Sequence, residues 1–179
     1  GLVIRGIKQS IWVNSEGRRF HDELRSGGAT GTTALLRQEH PTAWAILDSS
    51  MVKDIEVSDP RYRDGSDILT NKILRLLKNS FYIKKNTSFE GLAMAMNVDP
   101  VKFQKTIDVY HSYLDGGLAE DPEFGKNLRD LKKFNKPPFY AVQFFPLARK
   151  NLGGVRTDLT CRVLDERDNA IPGLYAAGE

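Results

Sequence analysis

The chain has 179 residues, of which 40% are hydrophobic and 27% are charged, and it carries a formal net charge of +3 and one cysteine. This length and composition are typical of one ordinary globular domain, or of one domain and a fragment, and they exclude an internal disulfide framework. The small charge does not point to a nucleic acid or a membrane surface, and no apolar run approaches the ~20 residues of a membrane span.

Short strands joined by turns are predicted for the first part of the chain. β-Branched and aromatic residues indicate strands over 2–7, 11–14 and 43–48. Asn14-Ser15-Glu16-Gly17 is typical of a hairpin turn. The small residues over 26–31 predict a loop, and a short helix is expected over 32–40, where Pro41 would stop it.

Helices dominate the predictions for the middle of the chain. Apolar spacing predicts an amphipathic helix over 66–78, and a short strand is expected over 80–85. Thr87-x-x-Glu90 resembles a capping box before a short helix that ends near Asn97. Asp99-Pro100 combines an N-cap side chain with a proline at the first helical position, and Gly116-Gly117 would end the helix that follows.

The last third of the chain predicts strands again. Residues 117–138 are polar with little periodicity and predict a long connection before a strand over 139–147. Three short strands are expected over 153–157, 161–164 and 173–177, with a turn at Glu166-Arg167-Asp168-Asn169. Paired strands with separate helices favour an α+β fold over a chain of βαβ units.

Two stretches hold chemically capable side chains at high density. Arg18-Arg19-Phe20-His21-Asp22-Glu23-x-Arg25 combines arginines with carboxylates, which could bind an anion or relay a proton, or could form a solvated turn. Arg149-Lys150-Asn151-Leu152-Gly153-Gly154 places two cations before a glycine pair, either as a ligand contact or as a strand-to-turn junction. The Gly-x-Gly-x-x-Gly fingerprint, the P-loop and the metal-ligand spacings of cysteine and histidine do not occur in this sequence.

Three stretches resemble, in order and spacing, the FAD-dependent fumarate reductase and succinate dehydrogenase flavoprotein family, which includes 3-ketosteroid dehydrogenases. They are Ile11-Trp12-Val13-Asn14-x-x-Gly17-Arg18-Arg19-Phe20-x-x-Glu23, Pro137-Pro138-Phe139-Tyr140-Ala141, and the closing run from Gly153-Gly154-Val155 to Leu174-Tyr175-Ala176-Ala177-Gly178-Glu179. Residues 24–136 match only in general character.

The resemblance implies an enzyme that contains FAD and moves a hydride between the flavin and a C–C bond next to a carboxylate or carbonyl. It further implies that residues 1–145 form the capping domain with its entry strands, with mixed or antiparallel strands and flanking helices, and that 146–179 return into the FAD domain. Since the chain starts at Gly1 and stops at Glu179, we expect a fragment of a longer protein, without FAD and inactive by itself. Its expected partners are a small-molecule substrate, which would be an organic acid or a ketone, and the remainder of its own FAD domain. The expected location is the cytoplasm.

The same resemblance assigns site residues. Arg19 and Glu23 are expected to be catalytic, with Glu23 on a proton path. Arg149 or Lys150 would replace a histidine of the fumarate reductases as the contact for a substrate carboxylate, for which the planar fork of arginine is suited. Flavin contacts are expected at Gly153, Gly154, Gly178 and Glu179.

Besides the replaced histidine, a second position departs from the fumarate reductases. Val52 stands where the family's proton-donating arginine is expected, after Asp48-Ser49-Ser50. A fumarate reductase in the strict sense is therefore not predicted. Two alternatives remain open, a 3-ketosteroid dehydrogenase and a binding module without catalysis that uses the arginine and lysine clusters to hold an anion.

Overall fold

A computed structural model of the chain describes residues 7–25, 28–54, 80–146 and 154–177. The chain divides into two compact units, Gly1–Pro146 and Leu147–Glu179. Both contain antiparallel strands and the first also contains helices, so the predicted α+β class is confirmed. The assignment of the units to a cap and to a returning piece of the FAD domain stays a prediction.

A four-stranded antiparallel sheet forms the centre of the first unit. Its strands are β1 (Ile11–Val13), β2 (Ala43–Leu47), β3 (Ile83–Asn86) and β4 (Phe139–Phe144), in the order β1-β2-β4-β3. All five residues of β2 are buried, because this strand pairs on both edges and is covered on both faces. The strands predicted over 11–14, 43–48 and 139–147 are confirmed, whereas the one predicted over 80–85 begins only at Ile83.

Two helices pack beside this sheet: α2 (Phe89–Met96) lies against β3 and β4, and α3 (Pro100–Asp115) packs against α2. The ring of Phe89 stacks on the ring of Phe139 in β4, with 4.0 Å between centroids, and meets Phe103 of α3 edge to face. Helix α3 buries Phe103, Ile107 and Tyr110, which share one face at helical spacing. These contacts make α3 the element that closes the hydrophobic core.

Side-chain caps fix where these two helices begin. The Asp99 carboxylate accepts from the backbone N–H groups of Val101 and Lys102 at 2.8 and 3.1 Å, as predicted for the start of α3. The predicted capping box at Thr87 is wrong by one residue. Ser88 is the N-cap, and its hydroxyl accepts from the N–H of Gly91 at 3.1 Å. Both caps satisfy backbone donors that have no partner within the helix.

The loop predicted over 26–31 is contradicted from Gly28 onward. Helix α1 spans Gly28–Leu36, and it ends before the predicted boundary at residue 40. Glycine lowers helix propensity, which is why the sequence favoured a loop. A Cβ at Gly31 would lie 3.3 Å from Cζ3 of Trp12, so glycine allows this helix to lie close to the indole ring. Tertiary packing therefore outweighs the local preference.

The second unit contains a hairpin of β5 (Arg162–Leu164) and β6 (Ala170–Tyr175). Its predicted turn is confirmed, since the Asp165 carboxylate accepts from the N–H groups of Arg167 and Asn169 at 2.8 and 2.9 Å. The strand predicted over 153–157 is reduced, in the described residues 154–157, to a single bridge between Thr157 and Val163. The predicted strand over 2–7 lies outside the described residues except at Ile7, which is not part of a strand, and the helix predicted over 66–78 lies entirely outside them.

Candidate functional site

A tight hairpin turn brings Arg19 back beside β1. The Asn14 side-chain oxygen accepts from the N–H groups of Glu16 and Arg18 at 3.0 Å, and the N–H of Asn14 donates to the carbonyl of Arg18. Gly17 completes the turn at a φ of +77°, a conformation that glycine adopts without strain. Val13 and Arg19 then pair as an isolated antiparallel bridge. The motif Asn14-x-x-Gly17 thus determines the position of Arg19.

Arg19 and Glu23 form a buried, two-pronged ion pair. Arg19 Nε donates to Glu23 Oε1 at 3.0 Å and Nη2 donates to Oε2 at 3.1 Å. Both side chains are only 2% exposed. Glu23 starts a short 3-10 turn, Glu23–Arg25, immediately after the hairpin. Parallel, charge-assisted hydrogen bonds of this kind hold both partners in a defined orientation.

Two further charged groups reach this pair from the long connection after α3. Arg19 Nη2 donates to Asp121 Oδ2 at 2.8 Å, and Lys126 Nζ lies 3.1 Å from Glu23 Oε2. The side chains of Asp121 and Lys126 are completely buried. Asp121 Oδ1 also accepts from the N–H groups of Glu123 and Phe124, which shapes the loop that carries Lys126. The polar segment predicted as a mere connection therefore completes the cluster.

Aromatic rings enclose the Arg19 guanidinium. Its Cζ lies 5.1 Å from the ring centroid of Tyr110 and 5.1 Å from that of Phe124, and Lys126 Nζ lies 5.4 Å from that of Tyr110. These are cation–π distances, at which the ring face attracts the cation. The rings also keep the four charges, two positive and two negative, away from water.

Burial and the neighbouring carboxylates act against each other on the cations. Burial lowers the pKa of Arg19, but Glu23 and Asp121 outweigh that effect and raise its pKa above the ordinary value. Burial lowers the pKa of Lys126, and Glu23 opposes this without cancelling it. Burial, reinforced by Glu23, raises the pKa of Tyr110. The cluster thus favours an ionised arginine and a neutral phenol.

The Glu23 carboxylate makes four contacts with donors. Oε1 accepts from Arg19 Nε and from the N–H of Trp12 at 2.9 Å, while Oε2 contacts Arg19 Nη2 and Lys126 Nζ. Two other polar groups of the cluster lack such contacts. Arg19 Nη1 and the Tyr110 hydroxyl are buried without a hydrogen-bond partner in the described part of the chain. The carboxylate of the half-exposed Glu123 lies 3.9 Å from Nη1.

The other predicted site residues are placed only in part. Arg149, Lys150, Gly153, Gly178 and Glu179 lie outside the described residues. Gly154 is exposed, and a Cβ built there would meet no atom within 4 Å. Its backbone is therefore open to an approaching group.

Val52, the predicted departure from the fumarate reductases, lies in a 3-10 turn over Ser49–Asp54. It is partly buried and packs against the hydrophobic core.

Within the described ranges no helix has the length and apolar character that crossing a bilayer requires. In the same residues, His, Cys, Asp and Glu side chains do not gather in a group of three or more that could hold a metal ion.

Sequence reasoning missed Tyr110, Asp121 and Lys126 as members of the cluster. Arg19 and Asp121 are 102 positions apart, so no local spacing connects them. A usable signal was the helical position of Tyr110 on the buried face of α3. For Asp121 and Lys126 the sequence offers none, because both stand in a polar stretch that is typical of solvent-exposed loops.

Comparison with known proteins gives a consistent result. A family model described as FAD binding domain matches residues 3–179. A probable fumarate reductase from Shewanella frigidimarina is 29% identical over 177 residues, which are 99% of this chain and 26% of that protein. A 3-oxosteroid 1-dehydrogenase from Mycolicibacterium smegmatis is 29% identical over 204 residues, covering 99% of this chain and 34% of the relative.

A solved structure agrees with these relatives. The open conformation of a flavocytochrome c3 fumarate reductase superposes with a TM-score of 0.73 at 28% identity, covering 99% of this chain and 28% of that one. The chain thus spans between a quarter and about a third of the length of these proteins. The predicted flavoprotein resemblance, its FAD cofactor and its oxidoreductase class are confirmed at the level of the family.

Proposed function

Because the chain belongs to the FAD binding domain family, we propose that it is part of an FAD-dependent oxidoreductase that reduces or oxidises a C–C bond next to a carboxylate or carbonyl. The match over residues 3–179 carries this proposal, together with the two relatives, which are named for fumarate and for an oxosteroid. Both compounds place a carboxylate or carbonyl beside the reacting bond. FAD, when bound, supplies the hydride carrier, and the protein supplies orientation, charge and exclusion of water.

We propose residues 1–145 as the capping domain and residues 146–179 as the return into the FAD domain. The fit to FAD is partial. Gly154 has an open backbone, as the close approach of a flat ring requires. The sequence contains no Gly-x-Gly-x-x-Gly turn that would receive the pyrophosphate. We propose Gly153, Gly154, Gly178 and Glu179 as the part of the flavin contact that this chain supplies, while a cytoplasmic location stays a prediction.

Arg149 and Lys150 are the proposed contacts for a substrate carboxylate. They precede the glycine pair, so a carboxylate held there would lie beside the proposed flavin contact. Val52 supports a substrate other than fumarate, because a partly buried valine in the core offers no proton. We therefore propose a small unsaturated or saturated acid, or a ketone, as the substrate.

Two roles are open to Arg19 and Glu23 in such an enzyme. The resemblance implies a pair on the path of the proton. The buried ion pair with Asp121 and Lys126 equally fits a fixed anchor for the cap.

A 3-ketosteroid dehydrogenase is the second candidate, favoured by the 29% identity with the 3-oxosteroid 1-dehydrogenase. The full-length protein distinguishes the two. An oxidised flavin spectrum, bleached by a reductant and restored by small enoates, supports the acid reductase, whereas bleaching of oxidised flavin by a 3-oxosteroid supports the second candidate. A full-length protein that purifies without flavin and cannot be reconstituted with FAD refutes both.

The anion contact has its own test. Losing one charge-assisted hydrogen bond to a carboxylate lowers kcat/KM by about 10- to 100-fold, so Arg149→Gln or Lys150→Gln should do this for an enoate and not for a neutral ketone. The matched control is Lys133→Gln, which removes an exposed cation paired with Asp115 at 2.8 Å. Equal losses for the charged and neutral substrates would argue against an anion contact at 149–150.

A further inference from the structure

On the premise of the proposed function, we propose that Lys126 is a positioning residue that, with Arg19, holds Glu23 as a fixed anchor of the cap and not as a carrier of the reaction's proton. A carboxylate offers about four lone-pair positions. Two N–H groups of Arg19, the N–H of Trp12 and the ammonium of Lys126 lie against the two oxygens of Glu23. Protonation of Glu23 would turn one of these acceptor positions into a donor and would remove one of the four contacts.

Lys126 connects Glu23 to the chain segment before β1. Its Nζ donates to the carbonyl oxygen of Ser10 at 2.6 Å and lies 3.1 Å from Glu23 Oε2, and its side chain is fully buried. Glu23 in turn accepts from the N–H of Trp12 inside β1. One ammonium and one carboxylate thus join the entrance to β1 and the turn after the hairpin to the loop after α3, in which Lys126 lies 116 positions beyond Ser10.

In the described residues, Glu23 is also closed off from water. Its side chain is 2% exposed, and the aromatic rings of Tyr110 and Phe124 lie over the neighbouring Arg19. The half-exposed carboxylate of Glu123 faces Arg19 Nη1, on the other side of the guanidinium from the Nε donor. A proton that arrived from outside the cluster would neutralise the Glu23 carboxylate and leave positive charge uncompensated in the interior.

A double-mutant cycle tests the action of Lys126 on Glu23. Glu23→Gln, Lys126→Met and the double variant are unfolded in urea, in the full-length protein. Each single change should raise the unfolding equilibrium constant by about 100-fold or more. The factor for the double variant should be at least about tenfold smaller than the product of the two single factors, because the double change leaves no unpaired charge at this contact. Effects that simply multiply would overturn the coupling.

An exposed pair in the same unit serves as the matched control. Lys102 Nζ lies 3.5 Å from Glu16 Oε1, and both side chains are close to half exposed. Glu16→Gln, Lys102→Met and their combination should each change the unfolding constant by less than about fivefold, since exposed pairs contribute little. A comparable coupling in this pair would show that the cycle reports general charge effects and would overturn the assignment to the buried contact.

The pH dependence of turnover separates an anchor from a proton carrier. Turnover per bound flavin in the double variant should fall by less than about tenfold, with the wild-type pH profile, whereas loss of a proton carrier lowers it by about 10²- to 10⁴-fold. Lys126→Arg keeps the positive charge and should restore part of the stability that Lys126→Met removes. A large loss of turnover with an altered pH profile would overturn the anchor role.

These readouts keep the two proposals apart. A wild-type full-length protein without flavin refutes the proposed oxidoreductase, and the unfolding cycle still decides whether Lys126 acts on Glu23. A flavin-containing, active protein in which the cycle shows no coupling refutes the positioning role alone.

Discussion

Replacing Gly17 with alanine should destabilise the first unit and disturb the hairpin that places Arg19. Gly17 has a φ of +77°, which L-residues with a Cβ avoid. A Cβ at this position would also lie 2.7 Å from Cγ1 of Val98 and 3.0 Å from Cβ of Phe103. The second contact involves the start of a helical side chain in α3, which has little freedom to withdraw.

The two effects give a magnitude for Gly17→Ala. The left-handed conformation costs alanine about 1–2 kcal/mol, and overpacking of a close contact costs about 1–3 kcal/mol. Gly17→Ala should therefore lower the free energy of unfolding by about 2–5 kcal/mol. That is a large part of the ~5–15 kcal/mol by which a typical domain is stable.

Gly125→Ala is the matched control, because Gly125 has a φ of +72° and a Cβ there would meet no atom within 4 Å. It should show only the conformational cost of about 1–2 kcal/mol. Urea unfolding can be followed by the fluorescence of Trp12 and Trp44, the two tryptophans of the sequence, which both lie in the sheet. Equal losses in the two variants would refute the contact argument, and no loss in either would refute the argument from φ.

Three further predictions concern other parts of the chain. Burial, with help from Lys133, lowers the pKa of His111, whose Nε2 accepts from the N–H of Phe134 at 3.0 Å. The free energy of unfolding of the wild type should therefore fall relative to that of His111→Gln as the pH drops below about 6.5, the pKa of histidine in the unfolded chain. A difference between the two proteins that does not change with pH would contradict this. Asp48→Asn should lower the free energy of unfolding by about 1–3 kcal/mol, because the buried carboxylate accepts four hydrogen bonds, whereas the exposed Asp108→Asn should have little effect in the same urea titration. The 179-residue chain alone should bind FAD weakly or not at all, since it contains no Gly-x-Gly-x-x-Gly turn before a helix; saturable tight binding in a fluorescence titration would refute this.

The elements that the sequence predicted well depend on local signals. Asp99 caps α3 because its carboxylate reaches two backbone N–H groups within three residues. The apolar residues of α3 repeat at helical spacing, and β2 is a continuous apolar strand. Interactions within one turn or one strand suffice for such features, so the sequence contains the information that they need.

The two failed helix predictions have different causes, a contact between distant segments for α1 and a local choice between two residues for α2. Helix α1 starts at Gly28, in a stretch whose glycines favour a loop, because the helix packs closely against Trp12. The cap of α2 is Ser88 and not Thr87, and the Asn86 side chain accepts from the N–H of Ser88 at 3.1 Å. Thr87 and Ser88 can each serve as an N-cap, and the glutamate three residues after Thr87 favoured the wrong one of the two.

The candidate site shows the same division. Arg19 and Glu23 are four residues apart, so the sequence showed that charged side chains cluster here, but it did not show that these two side chains are buried. Whether they would form a solvated turn or a buried pair depended on Asp121 and Lys126, which arrive from the loop after α3. A polar loop looks the same in sequence whether its charges face water or a buried partner.

The departures at Val52 and at residues 149–150 suggest that the groups that act on the substrate lie at other positions than in the fumarate reductases. If Glu23 is a fixed anchor and Val52 offers no proton, the described part of the proposed cap contributes shape and exclusion of water more than acid–base chemistry. Charge for the substrate would then come from Arg149 and Lys150, beside the proposed flavin contact. Substitutions at 149–150 should therefore change kcat/KM according to substrate charge, whereas those in the Arg19–Glu23–Lys126 cluster should change the unfolding constant first. The reverse pattern would return the proton path to the cap.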